Sequence, residues 1–211
     1  MKINKPKVKI LEVKNLDDIL KENDFNNYSF NQNINRKIQI SNTAINSCTF
    51  TNIDFTNIEF VDVNLLDVIF ENCDLSNKNF SNCFINRVIF KNCKMIGSNF
   101  SDSILNDIEI DNCIARYLDL SGSRIKSLLI QDTDLKEASF IEVDIKNISL
   151  ERIDFTKTDF YKTKLDKVDF SSCNISGSRF DLYSIKGIIV TPSQCESLVS
   201  LLGVSVKEEY E

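Results

Sequence analysis

The chain has 211 residues, with 25 Lys and Arg against 31 Asp and Glu, a net charge of −6, and it contains no His, no Trp, five Gly and two Pro. Without His there is no Ser–His or Cys–His dyad and no imidazole metal site. Five glycines leave no phosphate-cradling loop, and the acidic balance argues against direct nucleic-acid binding, which normally needs a basic surface.

The N-terminus, MKINKPKVKILEVKNLDDIL, is basic, but no apolar run of a secretory signal follows it. Nowhere is there an apolar stretch near the roughly 20 residues that span a bilayer. The reading is a cytoplasmic chain with no membrane span. Seven cysteines, an odd number, fit a reducing compartment better than a disulfide framework. Asn15 can cap a short helix through Leu16, Ile19 and Leu20. Phe25 and Phe30 then open a pattern that Asn35 breaks and Ile40 resumes. Residues 1–37 are read as an N-terminal cap with an imperfect first coil. Eight bases against five acids give this segment a net charge of +3.

From Ile40 to Val190 every fifth residue is apolar, 31 positions without a phase slip, and 14 of the 15 Phe sit on this phase, Phe84 being the exception. A period of five suits neither regular structure. Five residues turn about 500° on an α-helix, so no stripe forms. In a strand an odd spacing flips successive sites to opposite faces. The chain must turn a corner every five residues and point the marked side chain inward each time. Four corners close a square coil of 20 residues, and stacked coils bury a continuous core.

Sorting the centres by a period of 20 supports four faces. The first runs Ile40, Phe60, Phe80, Phe100, Leu120, Phe140, Phe160, Phe180; the second, Ile45 to Ile185, has no Phe; the third runs Phe50, Phe70, Phe90, Ile110, Ile130, Leu150, Phe170, Val190; the fourth is centred on Phe55 to Ile175. Large side chains thus fall on opposite walls with smaller ones between, as close packing requires. The expected architecture is an all-β solenoid, a right-handed quadrilateral β-helix over residues 38–190, with a filled interior. The residue two before each centre, small or β-branched, should also point inward. Cys73, Cys93 and Cys113 share one such column and are read as small buried hydrophobes. Lys78 interrupts another column and is expected to reach outward at the corner. Ala115 is the one small centre and marks a thin spot in the expected core. The Asn at the corners (Asn52, Asn57, Asn72, Asn77, Asn82, Asn92, Asn112) suit turns and stacked amide hydrogen bonds.

Residues 191–211 form the C-terminal helix and capping or dimerisation segment. Thr191 is a good N-cap, Pro192 suits the first turn, and Gln194 completes a capping box. Cys195, Leu198, Val199, Leu201 and Leu202 form an apolar side that Gly203 can end, and Val204 and Val206 alternate like a short strand. This stripe is wider than one coil end needs, which marks the same residues as a homodimer interface.

Charge is segregated by face between residues 39 and 191. The first has Glu59, Asp62, Asp102, Asp119, Glu142, Asp159 and Asp181 against Lys162 and Arg179, net −5; the third has Glu71, Glu109, Asp111, Asp132, Glu151 and Asp169 against Lys91 and Arg152, net −4. The fourth comes to −1, and the second, with seven bases against four acids, to +3. The two acidic walls, at Glu59, Asp62, Asp102, Asp119, Glu142, Asp159, Asp181, Glu109, Asp111 and Asp132, are the expected partner-binding surface. No catalytic residue, metal site or cofactor is assigned.

Segments such as CDLSN, NFSNC, VDFSS and TDFYK fit the pattern small–Asp/Asn–Leu/Phe–x–x. In them the sequence resembles the pentapeptide repeat family over roughly residues 38–190. Within that family it is most similar to the quinolone-resistance (Qnr-like) branch, whose members carry a short C-terminal helix like TPSQCESLVSLLGVSV here. The resemblance implies a dimer joined through its C-terminal segment that mimics DNA and binds a type II topoisomerase, DNA gyrase or topoisomerase IV, protecting it from quinolones or toxins. The repeats carry no interrupting loop, unlike some members whose loops matter for protecting gyrase. The alternative is a scaffold or immunity protein with a different partner.

Overall fold

A coil that bends every five residues needs, at most of its bends, a residue that accepts a positive φ. The computed structural model describes residues 3–9 and 12–207; positions 1–2 and 10–11 of the N-terminal cap and 208–211 of the C-terminal segment lie outside the described residues. In it, φ between 52° and 66° recurs at Asn72, Asn77, Asn82, Arg87, Asn92, Gly97, Asp102, Asp107 and Asn112, skipping none of the intervening fifth positions. Asn, Asp and Gly tolerate the left-handed region best. The Asn assigned to corners therefore stand where expected, except that Asn57 keeps a negative φ. Asn112, Asn92, Asn72 and Asn52 also form an amide ladder, the Nδ2 of each of the first three donating to the Oδ1 one coil below at 2.8–3.1 Å. Later corners at Glu142, Arg152, Lys157, Lys162 and Lys167 adopt the same φ. There the stacking register imposes a conformation that the side chain alone disfavours.

Among the described residues strand pairing is parallel, offset by 16 residues where Glu12–Val13 of the N-terminal cap meets Tyr28–Ser29 and by 20 residues throughout the solenoid: Leu65 pairs Ile85, then Leu105, Ile125 and Ile145, while Phe50 pairs Phe70, Phe90, Ile110, Ile130 and Leu150. The second and third faces carry the longer strands, such as Ile58–Glu71, Phe84–Lys91 and Ile104–Asp111. The first and fourth are held by isolated bridges, for example Asn79–Asn99–Asp119–Ser139. The result is a parallel β-solenoid of about seven turns.

The core is aromatic on two walls. Phe30, Phe50, Phe70 and Phe90 stack at centroid spacings of 5.0, 5.1 and 5.3 Å, and Phe60, Phe80 and Phe100 at 4.9 and 5.1 Å. These spacings follow the interstrand distance of about 4.8 Å. Both ladders lapse at Ile110 and Leu120, and there an apolar cavity of about 10 Å³ opens, lined by Phe90, Met95, Phe100, Leu105 and their neighbours. It sits beside the coil of Ala115 and is at the lower limit of room for one water.

The second inward column has a role that its small size alone does not reveal. Ser98, Ser103, Thr158 and Ser178 donate their hydroxyls to the carbonyls of Leu75, Phe80, Leu135 and Phe155 at 2.7–2.8 Å, and the thiols of Cys48, Cys73, Cys93 and Cys113 reach the equivalent carbonyls of Phe25, Phe50, Phe70 and Phe90. Each donor bonds a residue 23 positions earlier, the centre of a preceding coil. Ser123 breaks the rule with a buried Oγ that has no hydrogen-bond partner among the described residues. Lys78 corrects the expectation for its column. It does not reach outward; it is buried, and its ammonium donates to the carbonyls of Ile58 at 3.0 Å and Thr56 at 3.4 Å.

Both ends are closed. Helix α1 (Leu16–Glu22) is capped by Asn15, whose side chain accepts from the Asp17 amide, and it buries Leu16 and Ile19. Phe25 and Phe30 are fully buried, and Ile34 fills the core where Asn35 breaks the phase. Helix α2 (Pro192–Val199) has the expected capping box between Thr191 and Gln194. Gln194 does more than that box requires. Its Nε2 donates to the carbonyls of Phe170 at 2.9 Å and Cys173 at 2.7 Å, satisfying acceptors of the last coil. Such acceptors would otherwise stand open at a sheet edge. A 3₁₀ turn (Ser200–Leu202) follows and Gly203 closes it at φ 72°. Val204 and Val206 lie in an exposed segment without strand pairing, not in the short strand that their alternation predicts.

Candidate functional site

The Asp and Asn of the repeat serve two ends, and the geometry separates them. A carboxylate or amide one position before a core centre can accept from the amide two residues on, an Asx turn. Asp54, Asp74, Asn99, Asp119, Asp134, Asp154, Asp159 and Asp169 all do so. Asp119 and Asp159 of the first wall are therefore turn-forming residues as well as charges. Composition could not separate these roles; the position before each centre could have.

The rest of the acidic set divides along the rod. Glu59, Asp62 and Asp102 are exposed and take no hydrogen bond or ion pair from the described residues. Asp62 and Asp102 lie two coils apart on one corner, about 10 Å at the interstrand spacing. Asp102 is backed by Gly122, where a Cβ would stand 2.4 Å from its Oδ1. Further along, bases one coil away neutralise both acidic walls: on the first Lys162 bonds Glu142 at 2.9 Å and Arg179 bonds Asp159 at 2.9 Å, and on the third Arg152 grips Asp132 with two bonds of 2.6 and 2.7 Å. The Arg152 guanidinium holds the Asp132 carboxyl below the usual carboxylate range. Asp181 accepts from the Ser184 amide at 2.8 Å, and Asp111 from the Gln131 side chain at 2.9 Å. Glu109 is buried and ion-paired with Lys5. On the second wall, between the two acidic ones, Arg124, Lys126, Lys146, Lys164, Lys167 and Lys186 are exposed without ion pairs among the described residues, while Arg87 is committed to Asp67.

The residues expected at a dimer interface fall into two groups. Leu198 and Val199 are half-buried, Leu198 against the core; Cys195, Leu201, Leu202, Val204 and Val206 are exposed.

Among the described residues, no three His, Cys, Asp or Glu side chains converge on a metal-sized site, and no helix is long and apolar enough to cross a membrane. Burial pushes the Cys48 thiol up to about 11, and a hydrogen bond donated by the Cys73 thiol to Cys93, together with burial, raises that of Cys73. Six cysteines are buried and Cys195 is exposed. Thiol titration should therefore find one fast-reacting group in the native protein and seven after denaturation. Fast reaction of Cys73, Cys93 or Cys113 in the native state would overturn the reading of that column as core.

The sequence matches a family description named pentapeptide repeat region over residues 63–140, and one named pentapeptide repeats (8 copies) over 39–77 and 133–171. No curated protein matches it. Among solved structures, full-length QnrB1, a plasmid-mediated fluoroquinolone resistance protein, is 21% identical, with 83% of this chain and 100% of that chain covered and a TM-score of 0.42. HetL, a pentapeptide repeat protein involved in heterocyst differentiation regulation from the cyanobacterium Nostoc sp. strain PCC 7120, is 14% identical over 78% of this chain and 88% of that one, with a TM-score of 0.33. The matched segments together run from residue 39 to 171, the same stretch in which every fifth side chain fills the core and most corners turn left-handed, and on that ground the chain belongs to the pentapeptide repeat proteins.

Proposed function

We propose that this protein works by binding: that it presents the acidic first wall of its solenoid, in place of DNA, to DNA gyrase or topoisomerase IV in the cytoplasm, and so protects the enzyme from quinolones or related toxins. The observation that carries the reading is the run of free carboxylates at Glu59, Asp62 and Asp102 on a rigid rod. Rigidity matters because fixed charges lose little entropy on docking, and a groove shaped for phosphates meets one side of the rod only. DNA carries about one charge per 1.7 Å of axis. The whole rod falls short of that density because bases cancel most of its acids, so one wall, not the full circumference, is the mimic. The direct test is displacement of labelled duplex DNA from gyrase. Competition that weakens with salt supports the proposal, and full retention of DNA at micromolar protein overturns it.

The second part of the proposal is a homodimer through the C-terminal segment. Leu201, Leu202, Val204 and Val206 are exposed after the solenoid end is already closed by Gln194 and Leu198. Light scattering should report twice the chain mass of 24.2 kDa. Leu202→Asp with Val204→Asp should give the monomer while leaving the fold intact, because neither side chain is buried. A wild-type monomer at high concentration would refute the dimer.

The alternative, a scaffold or immunity protein with another partner, draws on the cross-coil neutralisation of Asp132, Glu142 and Asp159. Failure to displace DNA would leave that reading in place.

A further inference from the structure

Residues 3–9 do not trail into solvent. They lie along the outside of the solenoid, on the edge between the second and third faces. The Lys7 amide donates to Asp67 Oδ1 at 2.7 Å, and Asn4 donates twice to Asp107, from its amide at 3.2 Å and from Nδ2 at 2.9 Å. Lys5 pairs with Glu109, and Ile3 is buried. The spacing is a match of two periods. Asp67 and Asp107 occupy the same corner two coils apart, about 10 Å at 4.8 Å per coil. Asn4 and Lys7 are three residues apart, about 10 Å in an extended chain. The Asp67 end of the track is fixed beforehand: Arg87 holds both carboxylate oxygens at 2.6 Å.

From this geometry we propose that the corner column at Asp67 and Asp107, with Glu109 beside it, is a binding track for an extended cationic peptide, and that the chain's own N-terminal segment occupies it in cis. Two of the contacts use backbone N–H groups, so the track reads an extended backbone with a lysine between the two donors and tolerates many sequences. A tethered occupant acts at millimolar effective concentration. It therefore excludes weaker cationic peptides, and its release uncovers three carboxylates that are otherwise buried. The track is separate from the free carboxylates of the first wall and holds whether or not gyrase is the partner.

The test uses the full-length chain. In the wild type, amide hydrogen exchange at Asn4 and Lys7 should be slowed at least about 10-fold against a free peptide, and Asp67→Asn with Asp107→Asn should remove the protection. Asn4→Pro with Lys7→Pro deletes both N–H donors in cis and leaves the carboxylates untouched. A fluorescent peptide of sequence MKINKPKVK should bind this variant at least about 10-fold more tightly than the wild type, and adding Asp107→Asn should abolish the gain. Unprotected amides in the wild type, equal peptide binding to both chains, or binding to neither would each overturn the proposal.

Discussion

Phe70→Ala is expected to destabilise the protein by about 3–5 kcal/mol, the range for deleting a buried aromatic ring from a packed core. The ring is fully buried, stacks on Phe50 at 5.1 Å and Phe90 at 5.3 Å, and meets Phe55 edge-on at 5.8 Å. In a solenoid each coil is held mainly by its neighbours, so the gap weakens two interfaces at once. Phe84 is the internal control. It is the one Phe off the five-residue phase and is 43% exposed, so Phe84→Ala should change stability by less than about 1 kcal/mol. Urea unfolding of the two variants distinguishes them. Equal effects would mean that the aromatic ladder is not what holds the coils together.

The second large effect belongs to the proposed docking wall. Reversing Glu59, Asp62 and Asp102 together to Lys should weaken binding to gyrase about 10- to 100-fold, taking roughly 0.5–1 kcal/mol for each of the exposed charge pairs that the reversal removes. The fold should be retained, since none of the three forms an ion pair or a turn bond with the described residues; Asp62 and Asp102 stand at positive-φ corners, a conformation that Lys157, Lys162 and Lys167 also adopt, so those two substitutions should cost about 1–2 kcal/mol each at most. Asp144→Lys with Asp166→Lys, on the basic wall, changes net charge in the same direction and should leave binding within about twofold. If both variants weaken binding equally per charge, the interaction depends on total charge and the assignment of the first wall fails.

The core is legible in the sequence because its signal is one-dimensional: a side chain that must point inward every five residues writes its period directly into the chain. The same arithmetic places the four faces and the aromatic walls, and local capping signals place Asn15 and the capping box at Thr191 and Gln194. What escapes it depends on contacts between coils. Lys78 has the stem length to reach outward, but two carbonyls of the coil below offer its ammonium a nearer solvation shell. Asp119 and Asp159 look like surface charge in a count, yet each accepts a turn amide. Glu109 counts toward an acidic wall in the sequence, and only the fold brings Lys5, 104 positions away, onto it. The charge sum of a face is thus an upper bound on what a partner meets. On the first wall three carboxylates are without an ion pair or hydrogen bond among the described residues, and these form a smaller and more specific surface than the total implies.

The most direct measurement is gyrase supercoiling in the presence of ciprofloxacin, with and without micromolar protein. Supercoiling should be retained at drug concentrations that otherwise stop it, and the Glu59→Lys, Asp62→Lys, Asp102→Lys variant should not give this effect. No protection by the wild-type protein, or equal protection by the variant, would contradict a gyrase-binding acidic wall.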